Sequence, residues 1–176
     1  MTSRERVQQS LNHRQPDRVP VEFGATPTTG MHVTVVEALR RHYGLEPRPV
    51  KVNEPYQMLG LVEEDLAQAL GLDVDGFGAR TTIFGFPNEG WREYRLPWGQ
   101  AVLVSAHFQT TPAPGGDLLI YPQGDRSAPP SGRMPVGGFF FDSIVRQPPL
   151  EEARLDPEDN LEEFGPVSQV DLKHFR

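Results

Sequence analysis

Residues 19–44, VPVEFGATPTTGMHVTVVEALRRHYG, decide how the chain reads. Val19, Val21 and Phe23 alternate with Pro20 and Glu22, the period-two pattern of a short strand. The stretch from Gly24 to Gly30 is rich in Thr, Pro and Gly and reads as a turn. Met31, Val35, Ala38, Leu39 and His42 then fall at i, i+4, i+7, i+8 and i+11, one face of a helix, and Gly44 stands where a C-terminal cap is expected. A strand, a turn and an amphipathic helix in that order make the repeating unit of an α/β protein.

Working outward from there, Thr2 and Glu5 have the spacing of a capping box. Val7 and Leu11 give one apolar stripe on a short first helix that Pro16 closes off. Beyond Gly44, residues 62–70 predict a third helix with Leu66 and Leu70 on one side and Gly71 at its end. Leu72-Asp73-Val74-Asp75 follows as a second short strand, so the first eighty residues read helix, strand, helix, helix, strand.

The texture changes after Gly85. Of the 35 Pro and Gly residues of the chain, 19 lie between Gly85 and Pro149, which leaves room for short strands and for no helix of any length. β-prone runs at 91–96, 101–105, 118–121 and 139–141 fill the gaps, and Leu96-Pro97-Trp98-Gly99-Gln100 reads as the hairpin turn joining the first two. Residues 150–164 carry seven acidic side chains against the single Arg154, the mark of a solvated helix or linker, with Asp156-Pro157 as a helix start. Ser168 offers an N-cap to a last helix whose apolar face begins with Val170, Leu172 and Phe175.

Composition narrows the function classes. A net charge of −7 and a sequence pI of about 5.2 disfavour a phosphate backbone as partner, so nucleic acid is not expected. The chain has no cysteine, which removes disulfides, thiolate metal sites and thiol nucleophiles. The polar start Met-Thr-Ser-Arg-Glu-Arg does not resemble a signal peptide, and no run approaches the ~18 apolar residues of a membrane span. A cytoplasmic protein without a membrane partner is the expectation.

Candidate chemistry is sparse. His13, His32, His42, His107 and His174 share no spacing that would let two bind one metal, and no HExxH, GxGxxG, Walker-type or GxSxG pattern occurs. Asp73 and Asp75 share one face of a strand ending at Gly76: either a carboxylate pair at a strand's C-terminal end or simply a turn. Glu22 either lines a pocket or faces solvent. His32, beside Thr28 and Thr29 in the first turn of the second helix, marks an anion-binding helix N-terminus or a cap. Glu22, Thr29, His32, Asp73 and Asp75 are therefore the substrate-pocket candidates, and no catalytic residue is assigned. The run Phe139-Phe140-Phe141 reads as core or interface.

Ser3-Arg4-Glu5-Arg6-Val7 and Leu11-Asn12-His13-Arg14-Gln15-Pro16-Asp17-Arg18-Val19-Pro20-Val21 resemble the opening of uroporphyrinogen decarboxylase-like proteins, a superfamily shared with corrinoid-dependent methyltransferases. Weaker echoes follow in order: Gly30-Met31-His32, Leu70-Gly71-Leu72-Asp73-Val74, Pro97-Trp98-Gly99, Gly137 to Asp142, and Pro149-Leu150. The resemblance implies a (β/α)8 barrel, usually dimeric, of which this chain would be the N-terminal part with an inserted antiparallel β layer, since such barrels need ~250 residues. The expected organisation is residues 1–84 for the N-terminal helix and first strand–helix units, 85–149 for the β-rich insertion, and 150–176 for an acidic linker and the start of a further helix.

The departures point to a branch. Decarboxylases follow their Pro-Val with Met-Arg-Gln-Ala-Gly-Arg, whose arginines grip the substrate's carboxylates; here Ala25 and Thr29 stand in those places, and Glu22 would repel such a substrate. The decarboxylase's central aspartate has no clear counterpart, because Arg80 falls near that register. The methyl-transfer branch fits better, with a small molecule or a corrinoid protein as substrate. That branch implies zinc, which activates a thiol, and a corrinoid for the full-length parent; no ligand for either is carried over to this chain. The resemblance implies a chain inactive alone, completed by its C-terminal half or paired as a homodimer.

Overall fold

A computed structural model of the chain describes residues 1–145, 151–154, 156 and 166–176. The first helix, α1 (Ser3–Leu11), starts as its sequence predicts: the Thr2 hydroxyl accepts from the Glu5 amide, and the Glu5 carboxylate returns a bond to the Thr2 amide. Its inward face differs from the expected one. Leu11 is 75% exposed, and the buried residue is Arg6, at 7%. An ion network holds this helix where an apolar stripe was expected.

β1 (Met31–His32) runs directly into α2 (Val33–His42). The buried face of α2 is Val33, Val36 and Arg40, while Val35, Ala38 and His42 of the predicted stripe are exposed. The helix also begins two residues later than Met31, whose backbone is engaged in sheet pairing, and of the predicted stripe Met31 and Leu39 pack against the core. Gly44 closes the helix as expected. With φ +65° it lets its own amide reach the Arg41 carbonyl and the Leu45 amide reach the Arg40 carbonyl. β2 (Val50–Glu54) and β3 (Leu59–Gly60) follow, then α3 (Glu64–Leu70), ended by left-handed Gly71.

The predicted strands at 19–23 and 72–75 belong to neither sheet and form no ladder. Pro20 has no N–H to give, and the Val21 N–H goes to the Asp73 carboxylate at 3.0 Å. One backbone bond, Asp73 N–H to Val21 O at 2.8 Å, joins the two segments.

β4 (Arg92–Arg95) and β5 (Ala101–Val104) form the expected hairpin, closed by Leu96 N–H to Gln100 O at 2.9 Å. The first sheet has the order β1-β3-β2-β5-β4. Its pairings are antiparallel except β2 with β5, which run parallel with Val50 opposite Val102. The second sheet is an antiparallel meander of β6 (Thr110–Pro112), β7 (Leu118–Ile120), β8 (Gly132–Met134) and β9 (Asp142–Ser143). The predicted strand at 139–141 lies in the turn before β9, because Gly137 and Gly138 bend the chain there.

One apolar core serves both sheets. It joins Val33 and Val36 of α2, Val50 and Val52 of β2, Val102 and Val104 of β5, Ile120 of β7 and Met134 of β8, with Phe84, Phe86, Phe108 and Phe141 between them. The described residues thus form a mixed α/β protein with two sheets, four helices and no closed barrel. Both sheets and the first three helices lie within a unit spanning Met1–Ser143; a second unit spans Ile144–Arg176. Its helix α4 (Gln169–His174) is capped by Ser168 and Asp171 as predicted, and Val170, Leu172 and Phe175 are exposed. The helix start expected at Asp156-Pro157 lies outside the described residues.

Candidate functional site

Five side chains were expected to gather, and the structure brings them together in part. The closest association is that of Glu22 with Thr29. The Glu22 Oε1 accepts from the Ala25 amide at 2.6 Å and from the Thr29 hydroxyl at 2.7 Å, so the carboxylate braces the turn that carries it. The Gly24 amide donates to the Thr29 carbonyl at 3.0 Å, closing the same turn.

A cleft of about 490 Å³ opens beside this turn, walled by residues 23–25, by Leu61, Val62, Glu64 and Ala67, and by residues 72–76. Asp73 and Asp75 belong to its wall; Glu22, Thr29 and His32 do not. Asp75 is exposed, and its Oδ1 accepts from the adjacent Gly76 amide at 2.8 Å. Gly76 backs so closely onto residue 25 that a Cβ would stand 2.2 Å from the Ala25 carbonyl oxygen.

Asp73 has a different environment. Its side chain is fully buried between two guanidinium groups: Arg18 Nη1 lies 2.8 Å from Oδ2, and Arg6 Nη1 donates to Oδ1. Arg6 in turn grips Asp17 through Nε at 2.6 Å and Nη2 at 2.9 Å. Burial alone would raise the Asp73 carboxyl. The Val21 amide, the Ser3 hydroxyl and the guanidinium groups of Arg6 and Arg18 outweigh it and hold the group down at about 2. Asp17 is held well below the usual carboxylate range, chiefly by its hydrogen bonds from Arg6. Near neutrality Asp73 is a fixed anion and carries no exchangeable proton for acid–base chemistry.

His32 lies apart, at an aromatic corner with Trp98 and Phe139, the ring centroids 5.5 and 6.0 Å away. It is the N-cap of α2, its Nδ1 accepting from the Thr34 amide at 3.3 Å, so the cap is the role its contacts define. A second ion network, unmarked in the sequence, joins α2 to α3: Arg40 binds Asp65 through both terminal nitrogens at 2.9 Å, and Arg48 and Lys51 hold Asp65 and Glu63. An inward-facing arginine leaves no mark in apolar periodicity, which is why Arg6 and Arg40 escape a reading based on it.

Among the described residues no three of His, Asp and Glu converge as metal ligands, and the chain has no Cys. No helix among them is long and apolar enough to cross a membrane. In comparison with known proteins, no family model matches the chain, and no curated protein or solved structure is significantly similar to it.

Proposed function

We propose that these residues form the N-terminal region of a uroporphyrinogen decarboxylase-like enzyme of the corrinoid-linked methyl-transfer branch, supplying the first strand–helix units of a (β/α)8 barrel and an inserted β layer. One observation carries the reading. The residues behind the resemblance come from three separate stretches of sequence, and they converge: Arg6 from the first block, Asp17 and Arg18 from the second, and Asp73 from the Leu70-to-Val74 echo build one ion network. The single backbone bond from Asp73 to Val21, which joins the segments at 19–23 and 72–75, supports reading them as neighbours. In this reading the four charges are scaffold, and the reacting groups, zinc ligands included, come from outside these residues.

The experiment is to isolate the protein from its natural source, weigh it intact, and assay it for two reactions. These are zinc-dependent transfer of a methyl group from methylcobalamin to a thiol, and decarboxylation of uroporphyrinogen. Methyl transfer by a species heavier than 19.7 kDa, or by a complex, supports the proposal. Decarboxylation assigns the chain to the other branch. A species of 19.7 kDa with neither activity makes it a binding or assembly module, and turnover by that species alone overturns the scaffold role.

A further inference from the structure

His32 makes two hydrogen bonds of opposite sense. Its Nε2 is 3.0 Å from the Phe139 carbonyl oxygen, which can only accept, so Nε2 carries the proton. In the uncharged ring Nδ1 is then an acceptor, and it faces the Thr34 amide at 3.3 Å and the Thr34 hydroxyl at 2.8 Å. One imidazole therefore closes the first turn of α2 and anchors the turn that precedes β9. Protonation would place a hydrogen on Nδ1. The Thr34 hydroxyl can rotate to accept it, but the Thr34 amide loses its acceptor, and a cation comes to rest at the positive end of the helix. The Val33 amide is unaffected, because it donates to the Met58 carbonyl at 2.9 Å.

We propose that His32 is a pH-responsive cap: uncharged it closes the first turn of α2, and on protonation it releases that turn while keeping its hold on Phe139. The charged groups on the elements around the ring have partners of their own or lie beyond the turn. On α2 Glu37 is turned to the hairpin, its Oε2 accepting from Gln100 Nε2 at 3.1 Å. On the hairpin Arg95 is turned to the Gly99 carbonyl at 2.8 Å. The paired β3 residues Leu59 and Gly60 are uncharged, and so is the turn at 135–141, with Asp142 the first charge beyond it. The turn that loosens adjoins Trp98 and the half-exposed Phe139 and Phe140, so acid would mobilise the edge of an aromatic surface.

The test is hydrogen exchange of the Thr34 amide, corrected for the intrinsic pH dependence of exchange, in the wild-type chain and in His32→Asn. Asparagine caps a helix without titrating. Protection in the wild type should be about fivefold lower, the size of a lost side-chain cap, at an acid pH where the ring is protonated than at a higher pH where it is uncharged, and stay constant in His32→Asn. Nitrogen-15 shifts of the wild-type ring should show the Nε2–H tautomer at the higher pH. Equal protection at both pH values, the same fall in His32→Asn, or an Nδ1–H tautomer would each overturn the proposal. Thr34→Val gives a second arm that needs no change to the ring. Without the hydroxyl a protonated Nδ1 has no acceptor, so the acid loss must exceed that of the wild type, and an unchanged loss overturns the proposal as well.

Discussion

Arg18 and Asp73, 55 residues apart in the chain, meet at 2.8 Å, and the same guanidinium reaches the Gly71 carbonyl at 2.9 Å. The pairing ties the segment before the first turn to the end of α3, and Arg6 completes the tie from α1.

Asp73→Asn keeps the shape of the side chain and removes the charge that both guanidinium groups face. The expected result is a clear fall in Tm, because Arg6 is left largely buried beside a neutral group. Asp75→Asn, at an exposed carboxylate bonded to its neighbour's amide, should leave Tm where it was. Equal effects in thermal melts of the two variants would show that Asp73 carries no special burden.

The depressed carboxylates give the protein a defined acid limit. Asp65, held by hydrogen bonds from Arg40, and Asp73 both lie at about 2, against an ordinary 3.8. A lowered folded-state value means stability that is fully present above the unfolded value and drains away as pH falls toward the folded one. The contribution of these two carboxylates to the urea midpoint should therefore be lost between about pH 4 and about pH 2. In Asp65→Asn that loss should be smaller, which a set of urea titrations would show.

Gly60 sits beneath α2, and a Cβ there would stand 2.7 Å from Val50 Cγ1 and 2.9 Å from Val36 Cγ2. Both neighbours are branched, buried side chains without room to retreat. Gly60→Ala should cost about 1–3 kcal/mol by overpacking, measurable by chemical denaturation.

The three consecutive phenylalanines divide by environment. Phe141 is fully buried against Phe84 and Phe108, and its amide donates to the Tyr56 carbonyl at 2.8 Å, whereas Phe140 is 54% exposed. Phe141→Ala should cost ~3–5 kcal/mol. Phe140→Ala should stay within ~0.5 kcal/mol, and denaturation of the two variants side by side decides it.

What could be read beforehand follows from the range of each interaction. The caps at Thr2, Gly44, Gly71 and Ser168 involve partners within a few residues, and the hairpin at Leu96 to Gln100 is equally local, so all were legible. The parallel pairing of β2 with β5 depends on a partner far along the chain, and nothing near Val50 announces it. The alternation at 19–23 is real in the sequence, but Pro20 and the carboxylate of Asp73 consume the groups a ladder needs. Of the candidate site, Glu22 and Thr29 do meet, and Asp73 and Asp75 share a cleft wall. His32 is drawn elsewhere by Trp98 and Phe139, a convergence of three distant stretches that no spacing rule reveals.

The place of β5 between β2 and β4 has a consequence for biosynthesis. While the chain emerges from the ribosome, β1, β3 and β2 can associate early, but the outer edge of β2, with Val50 and Val52, stays unpaired until Val104 is clear. During that interval the nascent chain presents an apolar strand edge of the kind that recruits other strands. Arrival of β5, carried in by a single short hairpin with β4, covers that edge.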